Sequence, residues 1–123
     1  MPHLHLEYSD NLKQLDVEKT LLRLNHALVG SGQFAQELDI KARAQAFADF
    51  RVGVAPVDRA FACVRLALLS GRSAEVKQQL SSSLLEVLKE AVQGASTLEV
   101  QLSVEVRDMD RDTYVKVLLP AEA

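Results

Sequence analysis

A chain of 123 residues has the length of one ordinary domain, and 48% hydrophobic with 25% charged residues is the balance of a folded globular protein, which excludes a disordered chain. A formal net charge of −3 excludes a global attraction to nucleic acid or to an anionic membrane, so any anion-binding role must rest on a local basic cluster. Cys63 is the single cysteine, which excludes a disulfide framework and a cysteine-rich metal site; between Ala62 and Val64 it reads as a buried small residue.

Aromatic residues are only 5% of the chain and tryptophan is absent, so the core is expected to be aliphatic, built from Leu, Val and Ala. No apolar stretch approaches the ~18 residues of a membrane span, and the start lacks the basic and apolar runs of a signal peptide. The expectation is a cytoplasmic protein.

The first element is a strand from the second residue onward. Leu4, Leu6 and Tyr8 alternate with His3, His5 and Glu7, the pattern of a half-buried strand. Ser9-Asp10-Asn11 breaks it. Val17, Leu21, Leu24 and Leu28 then recur at three- and four-residue spacing and predict a helix from roughly Leu15 to Val29, closed by Gly30-Ser31-Gly32. Ile40, Ala42, Ala44, Ala46 and Ala48 alternate within Asp39–Arg51 and predict a second strand of low propensity.

Gly53 to Asp58, with Pro56, reads as a turn, and Arg59–Leu69 as a third strand carrying Phe61, Val64, Leu66 and Leu68. Ser70-Gly71-Arg72-Ser73 is a tight break. Ser73 suits an N-cap and Glu75 a first helical turn. Val76, Leu80, Leu84, Val87, Leu88 and Ala91 mark the apolar face of a second helix that Gly94 ends. Leu98 to Val106 alternates as a fourth strand, and Tyr114 to Leu119 reads as a short fifth.

The order is strand-helix-strand, turn, strand-helix-strand, extra strand. Two such units, about 1–53 and 59–107, suggest an internal duplication within a single domain spanning 1–123. Right-handed crossovers put both helices on one face of the sheet. The predicted fold is α+β: duplicated β-α-β units forming a four-stranded sheet, two helices on one face, and a short C-terminal strand. If the other face of the sheet is apolar, a further subunit has to cover it.

The start Met1-Pro2-His3-Leu4, followed by Glu7 and Ser9-Asp10-Asn11, resembles the opening of 5-carboxymethyl-2-hydroxymuconate isomerases. Ala60-Phe61 through Ser70-Gly71-Arg72-Ser73, and Gln78-Gln79 in the second helix, resemble the same family. The likeness covers most of the chain and is weakest after about Val106. The second unit is similar to the shorter 4-oxalocrotonate tautomerases, whose first strand likewise ends in Gly-Arg-Ser before a helix. The resemblance implies the tautomerase fold, a homotrimer, no cofactor, and an N-terminal proline as catalytic base.

On that reading Pro2 becomes a secondary amine once Met1 is removed. An α-amino group has a reference pKa of about 7.7–8.0, and burial or nearby cations lower it, leaving a neutral base at working pH. The implied substrate is a carboxylated dienol such as 5-carboxymethyl-2-hydroxymuconate, which is ketonised by moving a proton from the 2-hydroxyl to carbon. Cations are needed where its charge collects.

Three side chains are candidates. Arg72, at the opening of the second helix, matches the Gly-Arg-Ser arginine. Lys41 stands where the family has arginine, and a lysine is a point charge without the bidentate fork. Arg43 lies two residues on, on the same strand face. An arginine at a helix start and charges on a strand face are equally the marks of a solvated surface. Phe50, at the end of the second strand, is a candidate apolar wall or simply core. The second unit has Glu99 at the position corresponding to Lys41, so one site per chain is expected.

His3 and His5 share a strand face but have no third ligand at useful spacing, and no metal site is expected. His26 is expected on the surface of the first helix. Two other readings stand beside the first: the same site acting on another 2-oxo acid of the arylpyruvate type, and an inactive oligomer that only binds.

Overall fold

The computed structural model describes residues 1–122. Strand β1 (His3–Ser9) leads to helix α1 (Val17–Gly30), and a single 3-10 turn (Glu37–Asp39) precedes strand β2 (Lys41–Phe47). Strand β3 (Arg59–Leu69), helix α2 (Ala74–Gln93) and strand β4 (Glu99–Met109) repeat that order. The four strands form one sheet in the order β2-β1-β3-β4, with β1–β2 and β3–β4 parallel and the central β1–β3 pair antiparallel. Each parallel pair is bridged by its own helix, as parallel strands require. Among the described residues no helix is long and apolar enough to cross a membrane.

Alternation sets which face of the sheet meets the helices. Leu4 and Leu6 of β1, and Ala60, Ala62, Val64, Leu66 and Leu68 of β3, have no exposed surface. They pack with Leu24 and Leu28 of α1 and with Leu80, Leu84, Leu88 and Val92 of α2. Each fully buried leucine contributes about 1.5–3 kcal/mol over an exposed one, so this aliphatic layer holds the two units together. The caps are local. Asp16 accepts from the Lys19 N–H at 3.1 Å, and Ser73 accepts from the Val76 N–H at 3.2 Å.

Several boundaries differ from the sequence reading. Helix α1 starts at Val17 rather than Leu15, because Asp16 takes the cap and Leu15 is buried ahead of it. Strand β2 is shorter than Asp39–Arg51 at both ends; Asp39 belongs to the 3-10 turn, and the alanine-rich run stops at Phe47. Strand β4 runs on to Met109, where β3 still offers Leu69 as a ladder partner. Tyr114–Leu119 is not a fifth strand: it has no ladder partner among the described residues, and Val115, Val117 and Leu119 are 77–90% exposed.

The sheet face away from the helices is not apolar. It carries His3, His5 and Glu7 on β1, and Lys41, Arg43 and Gln45 beside them on β2. Arg65 and Cys63 of β3 lie across from His5 and Glu7, and Arg65 pairs with the Glu7 carboxylate. Cys63 is therefore half-buried on this polar face rather than in the core. Coverage of an apolar sheet face thus gives no reason for oligomerisation here.

Candidate active site at the N-terminal end of β1

The end of the sheet where β1 begins gathers four parts of the chain. Pro2 is fully buried, and its carbonyl accepts from the backbone N–H of Lys41 at 3.2 Å, which fixes the start of β2 beside it. The chain carries Met1, so the Pro2 nitrogen lies in a peptide bond and the free amine belongs to Met1. Its pKa is lowered from 8.0 to about 5. Burial is the largest cause; a hydrogen bond from Lys41 and the positive charges of Lys41 and Lys116 follow, opposed by Asp39. Burial and the nearby cations thus disfavour a protonated amine at this end of the sheet.

Lys41 is oriented by its own loop, since its Nζ donates to the Asp39 carbonyl. Arg43, one step along the same face, lies 2.9 Å from Nδ1 of His3. His3 is held below the usual histidine range by burial, then by Lys41, Arg43 and the N-terminal amine. His5 is likewise lowered, by burial and then Arg43. The two histidines are thus drawn into a cationic strand face. His26 is exposed on α1.

Arg72 sits just past the end of β3. Its Nη2 donates to the Gln33 carbonyl at 2.8 Å, its Nε to Gln33 Oε1 at 3.3 Å and its Nη1 to the Leu69 carbonyl at 3.4 Å. The guanidinium lies 4.9 Å over the Phe34 ring. Gly71 makes this turn possible: its φ of +123° is one that side-chain-bearing residues rarely adopt. Ala67 of β3 lies opposite His3, so the end of β3 and Arg72 stand at the Pro2 end of the sheet.

Phe50 does not join them within one chain. It follows the last residue of β2, at the opposite end of the sheet, where it packs edge-on against Phe61 with centroids 6.0 Å apart. Its cleft is lined by Asn11, Val52 and Arg59 rather than by Pro2 or Lys41. Glu99 opens β4 opposite Arg59 as Lys41 opens β2 opposite His3, and it pairs with Arg59 at 3.5 Å. The second unit thus has an acid where the first has its lysine.

The sequence predicts a strand over Tyr114–Leu119 and gives no sign that this segment reaches the Pro2 end of the sheet. After β4, Ser70 N donates to the Met109 carbonyl at 3.0 Å, and Arg111 donates twice to the Ser70 carbonyl, at 2.7 and 3.0 Å. The chain then crosses the end of the sheet. Tyr114 meets His3 edge-on with centroids 6.3 Å apart, and Lys116 pairs with the Asp39 carboxylate. Asp39 is lowered below the usual carboxylate range, first by that hydrogen bond. No local pattern reveals a contact across 77 positions.

The chain is similar to a 5-carboxymethyl-2-hydroxymuconate isomerase from Deinococcus radiodurans R1, with 29% identity over 94% of this chain and 88% of that one and a TM-score of 0.87. A fused 4-OT protein, described as a symmetric trimer, is 27% identical over 89% of this chain and 86% of that one, with a TM-score of 0.69. A 5-carboxymethyl-2-hydroxymuconate delta-isomerase has the same fold, with a TM-score of 0.74 at 18% identity over 96% of this chain and 88% of that one. The chain has no match among curated proteins. The family model for 5-carboxymethyl-2-hydroxymuconate isomerase matches residues 2–117, past the point near Val106 where the sequence likeness thins, and supports an isomerase activity. From its proline at position 2 to the segment that crosses the end of the sheet, the chain belongs to the 5-carboxymethyl-2-hydroxymuconate isomerase family.

Proposed function

We propose that the protein is a tautomerase that ketonises a carboxylated 2-hydroxydienoate, such as 5-carboxymethyl-2-hydroxymuconate, with the Pro2 amine as general base after Met1 is removed. The observation that carries this reading is the environment of the N-terminus: burial first, then Lys41 and Lys116, lower the pKa of the terminal amine to about 5. Removal of Met1 frees a secondary amine beside the same lysines, at the end of a strand whose ladder holds it in place.

In the reaction the neutral amine takes the proton of the 2-hydroxyl. The oxygen lone pair forms the C2=O bond, the conjugated double bonds shift, and the far carbon takes the proton back from the prolinium. Charge builds on the 2-oxygen and the adjacent carboxylate. Lys41 is the cation nearest the base and takes that charge, with Arg43 behind it on the same face. Arg72 uses one N–H from each of its three nitrogens on Gln33 and Leu69, which leaves two of its five donors for a carboxylate. Phe50 has no part in this site within one chain.

The family and the trimer described for the 27%-identical 4-OT protein support a homotrimer. So do the free edges of β2 and β4 and the exposed apolar side chains of Val115, Val117 and Leu119. The test is absorbance-monitored ketonisation of 2-hydroxymuconate by the tag-free, Met-processed chain, with the enol of phenylpyruvate as comparison. Turnover of the dicarboxylate dienol is expected. Turnover of the arylpyruvate enol alone, or of neither, overturns the substrate assignment.

A further inference from the structure

We propose that Lys116, on the C-terminal segment, is a specificity-determining cation that receives a second carboxylate of the substrate, with Asp39 holding its place in the empty site. The inference rests on the reading of the N-terminal amine as the reactive group and adds a residue contributed by the end of the chain.

The geometry begins with how the segment is fixed. The Ser70–Met109 backbone bond and the two Arg111 donations to Ser70 tie the exit of β4 to the Gly71 turn. Asp110 closes the next turn, accepting from the Asp112 N–H on its side chain at 3.0 Å and from the Thr113 N–H on its carbonyl at 3.2 Å. Tyr114 then rests on His3. Lys116 is thereby delivered to Asp39, the residue whose carbonyl already holds the Lys41 ammonium. Two ammonium groups from distant parts of the sequence are held on one residue, one on its carbonyl and one on its carboxylate.

The charges differ in how they are met. Among the described residues the partners of Lys41 Nζ are neutral, the Asp39 carbonyl and the N-terminal amine, whereas Lys116 has the Asp39 carboxylate. Two lysines against one aspartate leave one positive charge uncompensated. A monocarboxylate satisfies that charge at Lys41. A dicarboxylate has a second anionic group, and Lys116 is where it goes. The exchange replaces one carboxylate by another on the same ammonium, so no charge is left unpaired at Lys116. The side chains of Lys116 and Asp39 are 37% and 28% exposed, so the pair can open without disturbing the core. An ion pair this exposed is weak enough to be displaced.

The test compares two unreactive dienes that differ by one carboxylate, trans,trans-muconate and sorbate, by titration calorimetry on the tag-free chain. The unaltered protein is expected to prefer muconate. Lys116→Met should weaken muconate about tenfold or more while moving sorbate less than about twofold, since a charge-assisted hydrogen bond is lost only from the dicarboxylate complex. Lys116→Arg should restore muconate binding. Asp39→Asn, which frees Lys116, should tighten muconate several-fold and leave sorbate unchanged. Equal effects on both ligands, no effect on muconate, or no muconate binding by the unaltered chain overturns the proposal. The two readings fail separately. Lys116-dependent muconate binding without ketonisation removes the tautomerase reading alone. Ketonisation with Lys116-independent muconate binding removes this one alone.

Discussion

The backbone N–H of Lys41 donates to the carbonyl of Pro2 at 3.2 Å, so the first residue of β2 is locked to the residue that precedes β1. The bond belongs to a parallel ladder in which His3 and Lys41 stand side by side. It places a cation beside the amine by backbone alone, and only the ammonium has rotamers left to fix.

That placement predicts a shift in protonation. With Lys41 replaced by Met, the N-terminal amine loses a hydrogen bond and a repelling charge, and its pKa moves up from about 5 toward its ordinary 8.0. Lys116, Asp39 and His3 still face it. In the processed enzyme the acidic limb of the pH–kcat/KM profile moves upward accordingly, and KM rises with the lost carboxylate contact. NMR titration of the amine together with the rate profile checks this. An unmoved acidic limb contradicts the role of Lys41.

The same amine has a signature in stability. In the chain that carries Met1, the folded-state pKa lies below the unfolded one, so between about pH 5 and 8 the unfolded state binds more protons. Stability therefore rises with pH across that window and falls on acidification. His3 and His5, also lowered, act in the same direction near and below the ordinary histidine range. Urea unfolding at the two ends of the window should show the higher midpoint at the alkaline end, with a flatter dependence in Lys41→Met.

Arg72→Ala separates a structural from a binding role. The guanidinium carries three hydrogen bonds and the stacking on Phe34, so its loss loosens the loop after α1 and costs about 1–3 kcal/mol. If its two remaining donors also hold substrate, kcat/KM falls about tenfold or more, beyond any effect of partial unfolding. Arg72→Lys, which keeps charge but not the fork, should recover less than half of the lost binding energy. A drop in stability with unchanged kcat/KM assigns Arg72 to the loop alone.

Leu4 and Leu66 face each other across the central β1–β3 pair, and neither is exposed. Either one changed to Ala should cost about 2–5 kcal/mol. Because they share neighbours, the double variant should depart from the sum by about 0.5 kcal/mol or more. Chemical denaturation of the four proteins checks both numbers.

How much of this was legible in the sequence depends on whether the signal is local. β1, β3 and both helices follow from alternation and three- and four-residue spacing, because a buried leucine face leaves that pattern. The Ser73 cap and the Gly71 turn are legible because a capping hydroxyl and a positive-φ glycine act on their own neighbours in sequence. The ends of β2 are not legible, because alanines on a half-exposed strand carry little contrast, and Phe50 follows the end of that strand that lies away from Pro2. Tyr114–Leu119 has the pattern of a strand without a partner beside it. Its part in the site depends on Lys116 reaching Asp39, a long-range contact that the turns at Gly71 and Asp110 create.

Whether a free N-terminal secondary amine does the chemistry is decided by one comparison. Ketonisation of 2-hydroxymuconate is measured for the Met-processed chain and for the same chain with Met1 retained, each N-terminus verified by mass spectrometry. With Met1 in place the proline nitrogen is an amide and cannot take a proton. Retention of Met1 should lower kcat/KM by about 10²–10⁴-fold, the range of a positioned general base. Equal rates from the two proteins would contradict it.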